Sequence, residues 1–128
     1  MVRRSLLCVA AIFVFATALP LFADDPLKVG PEIYKLKFEN DRVRVMEVTF
    51  PPGAKVGLHS HPDHVAYVVE GGTLRMAAEG AKPNDINAKA GDTMFLDAQN
   101  HWAENVGTTT IKVVVVELKE PRPKVSKK

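Results

Sequence analysis

Three of the chain's four histidines fall within six positions, in the run Gly57-Leu58-His59-Ser60-His61-Pro62-Asp63-His64, and the fourth, His101, stands far downstream in Asp97-Ala98-Gln99-Asn100-His101-Trp102. Imidazole is the side chain best suited to bind a transition ion at neutral pH or to move a proton there. An extended strand repeats its side-chain direction every two residues, so His59 and His61 point to one side, close enough to share an ion. His64 comes three residues after His61, which on an unbroken strand puts it on the opposite face. Pro62 cannot donate to a sheet ladder, and a bulge at Pro62-Asp63 would reset the register and return His64 to the others. His101 heads a second short strand on which Ala103 and Asn105 share its direction. Neighbouring strands bring such sequence-remote residues together. The pattern therefore points to one divalent transition metal ion held by His59, His61 and His101, with His64 as a further ligand. Neutral nitrogen donors suit Fe, Mn, Cu, Ni or Zn, and the sequence does not choose among them.

No other set of residues makes a catalytic centre. Ser60 lies between two histidines without an orienting acid or an oxyanion loop, so it reads as a small strand residue. Asp63 and Glu104 adjoin the histidines and are candidate acceptors for imidazole N–H groups. Trp102 points away from His101 and reads as a packing residue, while Tyr67, Met76 and Phe95 lie on strands able to line a cavity. Glu70 belongs to a turn.

The elements that must position the histidines are short and β-rich. Apolar runs at residues 33–38, 43–50, 65–69, 73–78, 93–96 and 111–118 are each bounded by a turn signal, such as Pro51-Pro52-Gly53, Glu70-Gly71-Gly72 or Pro83-Asn84-Asp85. Regular short strands without a convincing amphipathic helix predict an all-β sandwich or barrel in one domain. In the second run Val43 and Val45 share one face while Met46, Val48 and Phe50 take the other. That strand is either buried on both sides or shifted by a bulge near Val45. The unbroken Val113–Val116 run predicts a central strand covered on both faces.

The ends read differently. Arg3 and Arg4 precede an apolar stretch from Leu6 to Ala18, closed by Leu21-Phe22-Ala23, so residues 1–23 have the form of a secretory signal peptide. Cys8, the single cysteine, falls inside it, and the exported domain would be held by its core or by its core plus a metal, without disulfides. The 17 basic and 15 acidic residues balance once Arg3 and Arg4 are removed. Residues 119–128 form a basic tail with two prolines that reads as disordered. The body carries no basic face with interleaved aromatics, so no nucleic-acid partner is expected, and the mature chain has no membrane span. The expected location is periplasmic or secreted.

The histidine stretches also carry a family resemblance. Gly53, five residues, then His59-Ser60-His61 match the opening of the first cupin motif. Gly91, His101 and, after three intervening residues, Asn105 match the second. With Tyr67-Val68-Val69-Glu70-Gly71, the chain resembles a small single-domain cupin over about residues 40–118, nearly the whole of an expected cupin domain at residues 24–118. The resemblance implies a jelly-roll β-barrel with one divalent ion inside. His64 occupies the position where the family usually carries a glutamate, which makes the site similar to three- or four-histidine cupins. It implies a small-molecule ligand or substrate, either as a metal-dependent dioxygenase or related enzyme, or as a non-catalytic module that binds a ligand or a structural metal. Exposed strand edges add the expectation of a homodimer.

Overall fold

The computed structural model describes residues 23–120; residues 1–22, where a secretory signal peptide is expected, and the tail residues 121–128 lie outside it. A four-residue helical turn, α1 (Pro26–Val29), is capped by Asp25, whose carboxylate accepts from the Leu27 amide. Nine strands follow: β1 (Tyr34–Glu39), β2 (Val43–Phe50), β3 (Lys55–His61), β4 (His64–Glu70), β5 (Gly72–Ala78), β6 (Asn84–Ala88), β7 (Thr93–Leu96), β8 (Gln99–Asn105) and β9 (Ile111–Leu118). They form a five-stranded sheet in the order β1-β2-β9-β4-β7 and a four-stranded sheet in the order β3-β8-β5-β6. All recorded pairings are antiparallel. The all-β sandwich expected from strand spacing is what forms, with the jelly-roll arrangement that the resemblance implies.

The core lies between the sheets. Met46, Val48 and Phe50 from β2, Val56 from β3, Ala66 from β4, Ala103 from β8 and Ile111 and Val115 from β9 are buried there. The chain passes repeatedly from one sheet to the other, and these crossings need small residues. At the β4–β5 crossing a Cβ on Gly71 would stand 2.4 Å from the Ala88 carbonyl oxygen, and one on Gly72 would stand 2.7 Å from Ile111 Cγ1. A side chain at Gly71 would require backbone movement, and one at Gly72 would require the Ile111 and Thr109 side chains to shift.

Several local expectations are corrected. The bulge sought near Val45 sits in the neighbouring strand: β2 pairs with β9 without interruption, and the register shift falls between Leu36 and Phe38 of β1. Asn84 and Asp85 are strand residues of β6, where Asp85 binds Arg75 through two hydrogen bonds of 2.7 and 2.9 Å across the β5–β6 ladder. Cross-strand charge pairing outweighs the turn propensity of Asn and Asp at that site. The strand bearing His101 begins at Gln99, two residues before the histidine expected to head it. The Val113–Val116 run is central, as expected, but only its inner side is covered by the opposite sheet. Val114 and Val116 face outward and are half-buried.

Candidate metal centre

The site grows from the β3–β8 ladder. The register slips between Val56 and His59, so that Val56 pairs with Ala103 while His59 lies directly opposite His101. This bulge at Gly57-Leu58 is the local cause of the site: without it, Val56 and His59, three residues apart, would face opposite ways. With it, both point inward, buried to 1% and 0% exposure, and Leu58 is turned to solvent. His61, two residues on, shares the direction of His59. The rings of His59 and His61 lie 4.8 Å apart, and those of His59 and His101 lie 4.6 Å apart.

Hydrogen bonds at the backs of the rings fix which nitrogens face inward. His59 Nδ1 is 2.7 Å from the Gly57 carbonyl, and His61 Nδ1 is 2.6 Å from Glu117 Oε1. Both partners only accept, so each Nδ1 carries the proton and, in the neutral ring, each Nε2 carries a lone pair. Those two lone pairs face each other at 3.0 Å. His101 Nε2 and the Tyr34 hydroxyl also stand 3.0 Å from His59 Nε2. Converging lone pairs repel unless a cation lies between them. The donor set therefore fits a divalent transition ion, with one ligand atom from each of His59, His61 and His101, all mutually within 4.8 Å. The second nitrogen of His101 is buried and has no hydrogen-bond partner among the described residues.

Burial keeps these rings neutral. Loss of hydration pushes His59 down to about 4, with the neighbouring His61 adding to the shift and the Gly57 carbonyl opposing it. His101 is pushed down to about 3 by burial first and then by His59, His61 and His64. Imidazoles that resist protonation at neutral pH are ready to ligate without first releasing a proton.

The carboxylate behind the site is Glu117, which sequence reasoning missed. Glu117 is buried to 2% exposure on β9; one oxygen accepts from His61 and the other accepts from Arg44 Nε at 2.7 Å. Arg44 in turn binds Asp25 at 2.5 Å, so a chain of charge-assisted bonds runs from the start of the domain to His61. Burial raises the Glu117 carboxyl, but the bonds from His61 and Arg44 outweigh it and hold it below its usual range. Such a carboxylate fixes the ring orientation of a ligand and makes it a better donor. A signal was available: Glu117 continues the inward parity of Val113 and Val115, a position where an unpaired acid would be costly.

Glu104, one of the expected acceptors, points outward and pairs loosely with Lys55 at 3.9 Å. Asp63 Oδ1 accepts from the Ala98 amide and ties the β3–β4 connection to the segment before β8. Ser60 donates to the Ala23 carbonyl, away from the site. Trp102 lies on the outer side of β8 with the Lys55 ammonium 4.8 Å from its ring centre. Tyr67 and Phe95, expected as cavity residues, are 47% and 55% exposed on the outside of the five-stranded sheet, whereas Met76 does line the interior.

His64 reaches the interior by a different route from the one expected. No bulge resets β3. The chain ends β3 at His61, turns through Pro62-Asp63 and starts β4 at His64 in the opposite sheet. An inward residue of one sheet is thus followed by an inward residue of the other. The His64 ring lies 4.7 Å from that of His61, its Nδ1 donates to the Pro62 carbonyl at 2.8 Å, and burial lowers its pKa. It borders the three-histidine cluster and the cavity beside it.

That cavity opens to solvent and leaves about 80 Å³ accessible to the centre of a water molecule. Tyr34, His61, His64 and His101 stand on its wall, and the remaining lining is apolar: Val48, Phe50, Leu74, Met76, Met94 and Leu96 among others. Tyr34 is a second residue the sequence did not single out. Burial first, and the charge of Glu117 second, raise its pKa, so its hydroxyl stays protonated beside the cluster, 3.0 Å from His59 Nε2.

The sequence matches the cupin domain family over residues 46–117. The chain belongs to the cupin family. No curated protein matches it. Among solved structures, this cupin is similar to a cupin domain from Bordetella pertussis, with 27% identity and a TM-score of 0.63 over 69% of this chain and 93% of that one. A cupin superfamily protein from Desulfitobacterium hafniense matches at 17% identity and TM-score 0.55, covering 69% of this chain and 77% of that one. A polyketide cyclase from Streptomyces resistomycificus matches at 20% identity and TM-score 0.53, covering 70% and 66%. The last two likenesses show the shared fold.

Proposed function

We propose that this cupin is exported and acts as a metal-dependent enzyme on a small, largely apolar molecule, with oxygenase chemistry as the favoured activity. The observation that carries this reading is the convergence of His59, His61 and His101 on one point beside an apolar cavity. A structural metal needs only enclosure, whereas a cavity against the ligand cluster gives a substrate access to it. A divalent ion bound there would supply Lewis acidity and, where redox-active, dioxygen chemistry.

The protein's own residues divide the remaining work. The apolar wall admits and desolvates a compact aromatic or aliphatic substrate. It offers no arginine or lysine for a carboxylate or phosphate. Tyr34, buried and protonated, holds a proton within reach of the site and donates it to an oxygen placed there. His64 borders the cluster as a fourth ligand or as a hydrogen-bond partner for substrate. Glu117 and Arg44 hold His61 in its ligating tautomer.

The test is metal analysis of protein purified from the exported fraction without chelator or affinity tag, followed by oxygen-consumption assays with small phenolic and carbonyl compounds. About one equivalent of Fe, Mn, Cu or Ni with substrate-dependent oxygen uptake supports the enzyme. Stoichiometric metal without turnover of any such compound moves the assignment to a non-catalytic ligand-binding or structural module. Protein found only in the cytoplasm, with Met1–Ala23 retained, removes the export proposal.

A further inference from the structure

The arm that precedes the first strand, residues 24–30, lies against β3, an edge strand of the four-stranded sheet. Its grip falls on the ligand pair. The Ser60 amide donates to the Asp24 carbonyl at 3.0 Å. Ser60 is the residue between His59 and His61, so this bond fixes the backbone from which both rings project. Further along the arm, Gly30 sits so close to β3 that a Cβ on it would stand 2.8 Å from Val56 Cγ2, and a Cβ on Gly57 would touch Val29 Cγ1 at 3.7 Å. Val56 and Gly57 begin the bulge that turns His59 inward.

The same arm holds His61 from behind. Asp25 divides its carboxylate between two tasks: Oδ1 accepts from the Leu27 amide at 2.9 Å and caps α1, while Oδ2 accepts from Arg44 Nη1 at 2.5 Å. Arg44 donates Nε–H to Glu117 Oε2 at 2.7 Å, and His61 Nδ1 donates to Glu117 Oε1 at 2.6 Å. A guanidinium is a planar fork of fixed donors, so carboxylates on two of its nitrogens leave it one orientation. Without Asp25, Arg44 regains rotation, and Glu117 loses the neighbour that fixes the plane of its own carboxylate.

We propose that the arm is a working part of the metal centre, with Asp25 as a positioning residue that sets the tautomer and ligating strength of His61 through Arg44 and Glu117. The proposal rests on the reading of His59, His61 and His101 as ligands, to which the arm adds no ligand atom. Stability alone does not account for the arrangement. Apolar residues in place of a buried Arg–Glu pair would support the sheet as well, since both ions must first be stripped of water. What the pair does that apolar residues cannot is place an acceptor behind one nitrogen of one ring. The arm therefore acts on the ligand pair twice, through the backbone at Ser60 and through the side chains that end at His61.

The test compares the wild type with Asp25→Asn and a control, Asp24→Asn. Asparagine caps a helix as well as aspartate does, so Asp25→Asn keeps α1 and removes only the charge facing Arg44. The Asp24 carboxylate pairs with Lys28 on the surface, where the two side chains are 63% and 73% exposed, and takes no part in the chain to His61. Imidazole nitrogen NMR of the metal-free proteins reads the His61 tautomer, and competition with a chelator reads the affinity for cobalt(II). The wild type and Asp24→Asn should hold the His61 proton on Nδ1. Asp25→Asn should populate both tautomers and bind cobalt about 5–10-fold more weakly, below the ~10–100-fold loss expected for a direct partner of a ligand. In a Glu117→Gln background, where the link is already broken, Asp25→Asn should change affinity by less than about twofold. An Asp25→Asn protein with wild-type tautomer and affinity overturns the proposal and leaves the metal centre standing. A loss just as large in the Glu117→Gln background overturns it too, because the arm would then act through the fold at large. A wild type that binds no cobalt overturns the metal reading and this proposal together.

Discussion

Two neighbouring rows of the five-stranded sheet, one residue apart along every strand, are built in opposite senses. The inner row runs Glu39, Arg44, Glu117, His64, Leu96, and the outer one Phe38, Val45, Val116, Val65, Phe95. At this end of the sheet Arg44, Glu117 and His64 face the interior and the apolar groups face out, the reverse of the usual half-buried pattern, while Glu39 at the edge is exposed and pairs with Lys119. Such an inversion persists only where the inner polar groups are partnered. Arg44 is held by Asp25 and Glu117, Glu117 by Arg44 and His61, and His64 by the Pro62 carbonyl. Chemistry thus occupies positions that packing alone would give to valine.

The comparison is broken most severely by removing the ligands themselves. His59→Ala and His101→Ala should each abolish stoichiometric metal binding, read by elemental analysis after dialysis. His64→Ala should bind metal more weakly or unchanged, since three donors remain. Retention of a full equivalent by the first two variants sinks the site. Chelation of the wild type should lower its unfolding midpoint. For an ion present at about a thousand times its Kd, the lost stabilisation is about 4 kcal/mol.

Next in size is the charged inner row. Glu117→Ala leaves Arg44 buried without its main partner and frees the His61 ring, and it should cost ~3–5 kcal/mol in denaturant unfolding. The milder Glu117→Gln should fold and bind metal ~10–100-fold more weakly, because an amide is a poorer acceptor from imidazole. Unchanged metal affinity in that variant would mean that Glu117 supports the fold and not the site.

Acid acts on the same groups. In the metal-free protein His59 and His101 have folded values of about 4 and about 3, below the ordinary 6.5. Between those limits the unfolded chain binds more protons, so stability falls as pH drops from 6.5 toward 4. Glu117, held below its usual range, contributes stability above its unfolded value that is lost as pH falls further. A loss of a few kcal/mol across this window is expected from melts of apo-protein. A flat profile would contradict the burial of neutral imidazoles. The smallest effect belongs outside: Glu104→Gln, breaking a loose exposed pair with Lys55, should change stability by less than about 0.5 kcal/mol.

Residue types and spacing by themselves determined that the chain is an all-β sandwich and that its histidines form a cluster. The strand at 111–118 and the turn at Pro51-Pro52-Gly53 are local, because alternation and turn chemistry act over a few residues, whereas Glu70, read as a turn residue, ends β4, and only Gly71 separates it from β5. The family was legible too, since Gly53, His59, His61, Gly91 and His101 keep a fixed spacing. Pairing across the ladder decided the rest. The bulge at Gly57-Leu58 becomes visible only against β8, and His64 turns inward because the chain changes sheets at Pro62-Asp63. Glu117 joins His61 because folding sets β9 behind β3 and brings together groups 56 residues apart in the chain. The outer apolar row exists only as a product of four separate registers. Local sequence sets which way each strand can fold, but contacts between distant strands choose which side chains meet, and the candidate site is made of those meetings.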